Sequence, residues 1–225
     1  MRTFVVLLTV LSLAVPAFSE SPGVSAPSAA PSPTSTAPQV IWPALEGWRT
    51  ETIPFPLDFA PTLPYTGFEE LRFAPGFGKP DQPQFFTYGF LWVIPAVIEL
   101  KRDQLERDLK VYFDGLMKSV AESKKFDGAF INTKVIVTVA PPGPDMIAFN
   151  ATVETYDSFF TRKPVTLVMH VIPNVKVLDG WRVHYFEATT DPMKPEVLQV
   201  FQGLRANIAA ASNAPKPIET GPLSH

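Results

Sequence analysis

Apolar side chains recur at helical spacing in two segments, and this spacing predicts two amphipathic helices. The first segment runs from Arg102 to Glu122 and carries charged residues between its apolar positions. The second runs from about Pro195 to Ile208 and begins with Pro followed by Glu, which is common at helix starts. Each helix therefore has one face to bury.

Between the two helices the apolar period changes to two, which predicts β-strands. Turn residues, Pro141 to Asp145 and Asp179-Gly180, separate these strands into two antiparallel pairs. The four predicted strands are Ile131–Val139, Ile147–Glu154, Val165–Ile172 and Trp181–Thr189. One-sided strands with two amphipathic helices predict an α+β fold, in which the helices cover an antiparallel sheet.

A further strand, Gln84 to Pro95, is apolar on both faces. It is predicted to be central, with a helix on one side and the proline-rich N-terminal segment on the other. In the alternative, Phe86, Tyr88 and Trp92 line a pocket for an apolar ligand or peptide, and Tyr88 and Arg72 are its polar anchors. These four residues are the candidate ligand-binding residues.

Prolines at close intervals mark the segment Ile53–Tyr65. Proline cannot donate to a sheet ladder, so this segment is predicted to be an edge strand or an extended arm across the domain. A polyproline arm that docks a partner is the functional alternative.

The stretch Glu69–Gly78, EELRFAPGFG, combines two carboxylates with an arginine and a turn. If it is extended, Glu69 and Glu70 point to opposite faces and cannot act together on one bond. Glu70 can then pair with Arg72, and Pro75-Gly76 fits a type II turn. The alternative is that Arg72 binds a ligand carboxylate or phosphate.

The N-terminus has the pattern of an export signal. Arg2 precedes an apolar run from Phe4 to Val15, and Ala17-Phe18-Ser19 supplies the small residues of a cleavage site. We expect a signal peptide over residues 1–19, a disordered Ser/Pro/Ala linker over 20–39, one domain over 40–208 and a flexible tail over 209–225. The protein is thus predicted to be exported, to the periplasm or the extracellular space, with no membrane span after cleavage.

Composition excludes several classes of function. The 225 residues carry a formal charge of −3 without a basic block, which argues against nucleic acid as a partner. The absence of cysteine excludes disulfides, a cysteine nucleophile and zinc–thiolate sites. With 46% hydrophobic residues the chain can still bury the core of one domain.

Catalytic and metal-binding patterns are sparse. If the last hairpin has no bulge, Val175 faces His184 and Thr189 faces His170, so the two histidines point to opposite faces and no metal site is predicted. No nucleophile elbow or phosphate-binding glycine loop occurs, and no cofactor is expected. Asp157 is typical of a loop between strands.

The segment from Gly47 to Phe77 resembles a group of uncharacterised exported bacterial proteins with a Pro-rich arm and a Glu-x-Leu-Arg-Phe-x-Pro-Gly corner. Here the corner runs from Glu69 to Gly76, and the resemblance implies no activity. The element order is similar to that of a PsbP-like α/β sandwich. A cystatin-like or nuclear-transport-factor-like α+β cone is the alternative.

Two functions are compatible with these patterns. The first is a non-catalytic protein of the cell envelope that binds a partner protein or an apolar small molecule through the aromatic strand and the arm. The second is an exported hydrolase in which Glu70 or Asp157 acts with His184.

Overall fold

Seven strands and two helices are found in the part of the chain that the structure describes. The computed structural model describes residues 40–141, 147–178, 180–190 and 194–211, with only the backbone described at 209–211. The strands are β1 (Arg49–Phe55), β2 (Gly67–Phe73), β3 (Tyr88–Pro95), β4 (Lys134–Val139), β5 (Phe149–Tyr156), β6 (Pro164–Leu178) and β7 (Trp181–Thr190). The helices are α1 (Arg102–Ser123) and α2 (Pro195–Ala211).

All seven strands form one antiparallel sheet in the order β1-β2-β3-β7-β6-β5-β4. Helix α1 connects the central strand β3 to the edge strand β4, and the chain then returns strand by strand until β7 pairs with β3. The predicted α+β class, with an antiparallel sheet and two helices, is confirmed. The predicted signal peptide, the linker and residues 142–145 of the predicted turn lie outside the described residues, as do residues 212–225 of the predicted tail.

Each face of the sheet packs against one helix. On the face that we call the α1 face, the rings of β3 meet Leu105, Leu109 and Phe113 of α1 in the larger core cluster. On the opposite face, the α2 face, the second cluster joins Leu91 and Val93 of β3 to α2. The helical and strand periods of the sequence therefore predicted the buried sides of α1, α2 and β5.

The proline-rich segment is both an edge strand and an arm, as predicted. Strand β1 pairs with β2, and the following residues place Leu57, Ala60, Leu63 and Tyr65 in the core of the α1 face. The prediction that this segment covers the face opposite the helix is wrong, because the arm lies on the same face as α1. Residues 40–48, with Trp42 buried, share the α2 face with α2.

The arm passes directly beneath α1 at a glycine. A Cβ atom on Gly115 would lie 1.8 Å from the carbonyl oxygen of Phe59. Next to this crossing, the rings of Phe59 and Tyr112 pack edge to face with centroids 5.2 Å apart. Only a residue without a side chain allows the helix and the arm to approach this closely.

Two local predictions need correction. Strand β3 begins at Tyr88, not at Gln84, because residues 84–87 form a turn in which Phe86 has a φ of 53°. At the predicted type II turn, Phe77 does donate to the Ala74 carbonyl at 2.9 Å, but Gly76 lacks the positive φ that a type II turn requires. The close approach of Gln84, 2.8 Å from a Cβ built on Gly76, explains the glycine instead.

Side chains of α1 bind the free edge of the sheet at β4. The Val137 N–H donates to Glu106 at 2.9 Å, and the Thr133 N–H donates to Asp114 at 2.6 Å. Between them on the helix, Lys110 donates to the Thr133 carbonyl at 2.8 Å. At the other edge, β1 contains Pro54, which has no N–H to offer. Each edge thus has positions at which a further strand is hindered from pairing.

Candidate functional site

The aromatic residues of the candidate pocket are core residues. Trp92 is fully buried, and Phe86 and Tyr88 are 2% and 4% exposed. Trp92 packs against Phe186 with ring centroids 4.7 Å apart, and Phe90 stacks on Phe186 at 4.4 Å. The interpretation of this strand as a covered central strand is confirmed, with the correction given above for the position of the arm.

Glu69 is buried among these rings on the α1 face. Its carboxyl group accepts hydrogen bonds from Trp92 Nε1 at 3.0 Å and from the Tyr112 hydroxyl at 3.3 Å. Burial nevertheless raises the pKa of Glu69 to about 8. The group is therefore a neutral acid at neutral pH, and its contacts assign it to the core.

Arg72 lies on the α2 face and is not brought together with Phe86, Tyr88 or Trp92. Its Nε and Nη2 atoms donate to the Trp42 carbonyl, its Nη1 atom donates to the Leu71 carbonyl at 2.8 Å, and it pairs with Glu70 as predicted. The guanidinium also lies 4.7 Å from the centre of the Trp42 ring. With these contacts and 4% exposure, Arg72 fastens residues 40–48 to the sheet and is not a free anchor for a ligand.

The residues of the hydrolase hypothesis do not converge on one site. Glu70 lies on the α2 face, whereas His184 is opposite Trp92 on the α1 face. Asp157 comes directly after the last residue pair between β5 and β6. Measured along the strand direction, it is about nine residues, or roughly 30 Å, from His184. Its carboxylate accepts N–H bonds from Phe159, Phe160 and Thr161, so it shapes its own loop as predicted.

The two histidines point to opposite faces, although the predicted register is wrong. A bulge between Ile172 and Lys176 inserts two residues into β6, so His170 is opposite Glu187 and not opposite Thr189. A shift of two residues preserves the alternation of side chains, which is why the predicted faces hold. Burial lowers the pKa of the His184 imidazole to about 4, so this group is neutral at physiological pH.

A groove of about 540 Å³ opens on the α2 face, where α2 stops short of β5 and the outer part of β6. We call it the α2 groove. Its polar side chains come from three neighbouring strands and from the helix. The residues that line it are Asn150, Ala151, Thr152, Val168, Met169, His170, Glu187, Leu198 and Arg205.

Buried Glu187 and partly exposed Arg205 form an ion pair at the inner end of the α2 groove. Arg205 Nε lies 2.7 Å from Glu187 Oε1, and the side chains are 33% and 2% exposed. The N–H does not point at the oxygen, so the contact is an ion pair and not a hydrogen bond. Burial raises the pKa of Glu187 to about 7 despite the nearby guanidinium. Among the described residues, neither Glu187 Oε1 nor Arg205 Nε therefore has a hydrogen-bond partner.

His170 and Asn150 form the outer part of the same polar row. They are opposite each other on β6 and β5, and His170 Nδ1 lies 2.9 Å from Asn150 Oδ1. Burial, followed by the charge of Arg205, lowers the pKa of His170. If Nδ1 carries the proton and donates to Asn150, Nε2 is left as an acceptor, and within the described residues no group bonds to Nε2.

Individual residues of this site are conspicuous in the sequence, but the sequence alone does not show that they lie together. Glu187 is a charged residue in an otherwise buried strand, and Asn150 occupies a polar position of β5. Linking them required the register of β5, β6 and β7, which includes the bulge. It also required the position of Arg205, which is adjacent to the apolar stripe of α2.

In the described part of the chain, no group of three or more His, Asp or Glu side chains is arranged to hold a metal ion. Among the helices described, none has both the length and the apolar character that a membrane crossing requires. Comparison of the chain with known protein families, with curated proteins and with solved structures found no significant match.

Proposed function

We propose that the protein is an exported, non-catalytic protein of the cell envelope, and that it binds a small molecule in the α2 groove. The observation that carries this proposal is the convergence of a partly buried ion pair and a histidine on one concave surface with an apolar wall. Ligand sites typically combine such a wall with a few convergent polar groups. The aromatic strand, by contrast, has its side chains committed to the core.

The apolar wall and the polar row lie on different elements. Leu198 of α2 is 43% exposed, and Val168 of β6 is partly exposed on the same side of the sheet. Glu187, His170 and Asn150 lie in a row across three adjacent strands. A ligand that contacts both sets of residues is held between a helix and a rigid sheet. Few protein groups then have to become ordered on binding, so the entropy cost of binding is small.

Two finer assignments belong to this proposal. The sheet with one helix on each face supports the likeness to a PsbP-like sandwich, a scaffold that fits many functions and implies none by itself. Export to the periplasm or beyond is supported by the charged start, apolar run and small residues at the N-terminus.

Blocking the groove tests the binding site. A tryptophan in place of Thr152 is expected to fill the groove and abolish binding of small molecules that wild-type protein selects from a fragment library. Thr152→Trp places the new ring on the groove side of β5, whereas the control Thr50→Trp places it on β1, at the opposite edge of the sheet. Ligand-observed NMR measures binding to both. Fragments that bind both variants as they bind wild type would contradict the proposed site.

Expression in a Gram-negative host tests export. The protein is expected in the periplasmic fraction with Glu20 as its first residue, as read by intact mass. Leu8→Asp interrupts the apolar run and is expected to keep the full-length chain in the cytoplasm. A wild-type protein recovered uncleaved from the cytoplasm would contradict the proposed export.

A further inference from the structure

We infer that the ligand of the α2 groove is an amphipathic carboxylate, with its carboxylate bound by Arg205 and its apolar part against Leu198 and Val168. This inference rests on the proposed function of the groove. The ion pair joins Arg205 Nε to Glu187, and the hydrogen bonds found among the described residues include none from the two terminal Nη atoms of Arg205. Two parallel Nη donors match the two oxygens of a carboxylate.

The charge of the groove favours a single negative charge on the ligand. Among the described residues that line the groove, Arg205 is the one cation, and the carboxyl of Glu187 lies beside its guanidinium. A phosphate monoester, with close to two charges, would be repelled by any ionised Glu187 and would exceed the available positive charge. A carboxylate balances Arg205 when Glu187 holds a proton.

The same geometry couples binding to a proton on Glu187. The groups that face Glu187 are Arg205 from α2, His170 from β6 and Tyr185 from its own strand, while β3 contributes Gly89. A ligand carboxylate beside Glu187 favours its protonated form, so the pKa of Glu187 in the complex lies above the value of about 7 in the free protein. Affinity is then greatest below pH 7 and falls as the pH rises above it.

The test compares 4-phenylbutyrate with its neutral analogue 4-phenylbutyramide by NMR chemical-shift titration of the full chain at pH 6 and pH 8. At pH 6 the carboxylate is expected to bind at least about tenfold more tightly than the amide, because only the carboxylate makes a charge-assisted pair with Arg205. Arg205→Gln is expected to remove this difference. The matched control Arg182→Gln, on the α1 face of β7, is expected to retain it.

The pH dependence gives a second measurement. Wild-type affinity for 4-phenylbutyrate is expected to fall severalfold from pH 6 to pH 8, and at most tenfold per pH unit for one proton. Glu187→Gln imitates the protonated acid and is expected to bind with little change over this range. Circular dichroism checks that both Arg205→Gln and Glu187→Gln are folded, and the comparison of the two probes on wild type needs no substitution.

The outcomes separate the two proposals. Equal affinity for the amide and the carboxylate, with groove resonances shifted by both, would overturn the carboxylate inference and leave the groove as the binding site. The same holds if phenyl phosphate binds more tightly than 4-phenylbutyrate. If neither probe shifts a groove resonance, or if Thr152→Trp does not weaken binding, both proposals fail.

Discussion

Trp92→Ala is expected to lower the free energy of unfolding by about 4 kcal/mol, measured by guanidinium denaturation with circular dichroism. The indole is fully buried and contacts the rings of Phe55, Tyr65 and Phe186, so its removal leaves a cavity lined by aromatic groups. The change also removes the Nε1–H donor to Glu69, a buried acid for which a lost hydrogen bond is unfavourable. Both terms act in the same direction.

Two further variants separate these contributions. Trp92→Phe keeps most of the ring volume but lacks the donor, so it is expected to show a smaller loss of stability than Trp92→Ala. Phe130→Ala removes a ring that is 58% exposed and is expected to change stability by less than about 1 kcal/mol. A Trp92→Ala protein as stable as Phe130→Ala would mean that the aromatic strand is not the core, and the pocket interpretation of Trp92 would then be reopened.

Gly115→Ala is expected to destabilise the protein by about 3 kcal/mol, a large effect for the addition of one methyl group. The methyl would lie 1.8 Å from the Phe59 carbonyl oxygen, which belongs to the backbone and cannot rotate away as a side chain would. Helix α1 and the arm must therefore move apart, which disturbs the packing of Phe59 against Tyr112. Thermal and chemical unfolding both report this loss.

The second helical glycine provides a matched control. A Cβ on Gly203 would meet Leu45 at an ordinary 3.7 Å, and alanine is the better helix former. Gly203→Ala is thus expected to raise the stability by about 0.5–1 kcal/mol. If the two variants behaved alike, the close crossing of the arm under α1 would be incorrect.

Much of the fold could be predicted because alternation and helical period are local properties. The opposite orientations of Glu69 and Glu70 and the buried stripe of α1 follow directly from them. The start of β3 was mispredicted because the turn that precedes the strand, at Phe86, is also buried and apolar. The apolar pattern therefore begins before the strand does. The position of the arm was mispredicted because proline content predicts an extended backbone and not the face on which it lies.

The α2 groove depended on information that is not local. His170 faces Glu187 because of a two-residue bulge near Asn174, which has a φ of 57°. The apolar pattern of the strand does not indicate such an insertion. The asparagine does not indicate it either, because asparagine can adopt the left-handed conformation but does not require it. The salient motif around Arg72, in contrast, forms hydrogen bonds that hold the Trp42 segment against the sheet.

The carboxylates of α1 that accept hydrogen bonds from the β4 edge affect how copies of the protein associate in concentrated solution. At the β4 edge, the amides of Thr133 and Val137 already donate to carboxylates of α1 and cannot donate to the strand of another molecule. At the β1 edge, such a strand meets the ring of Pro54. At these positions the fold therefore disfavours the edge-to-edge pairing of neighbouring copies from which fibrils grow.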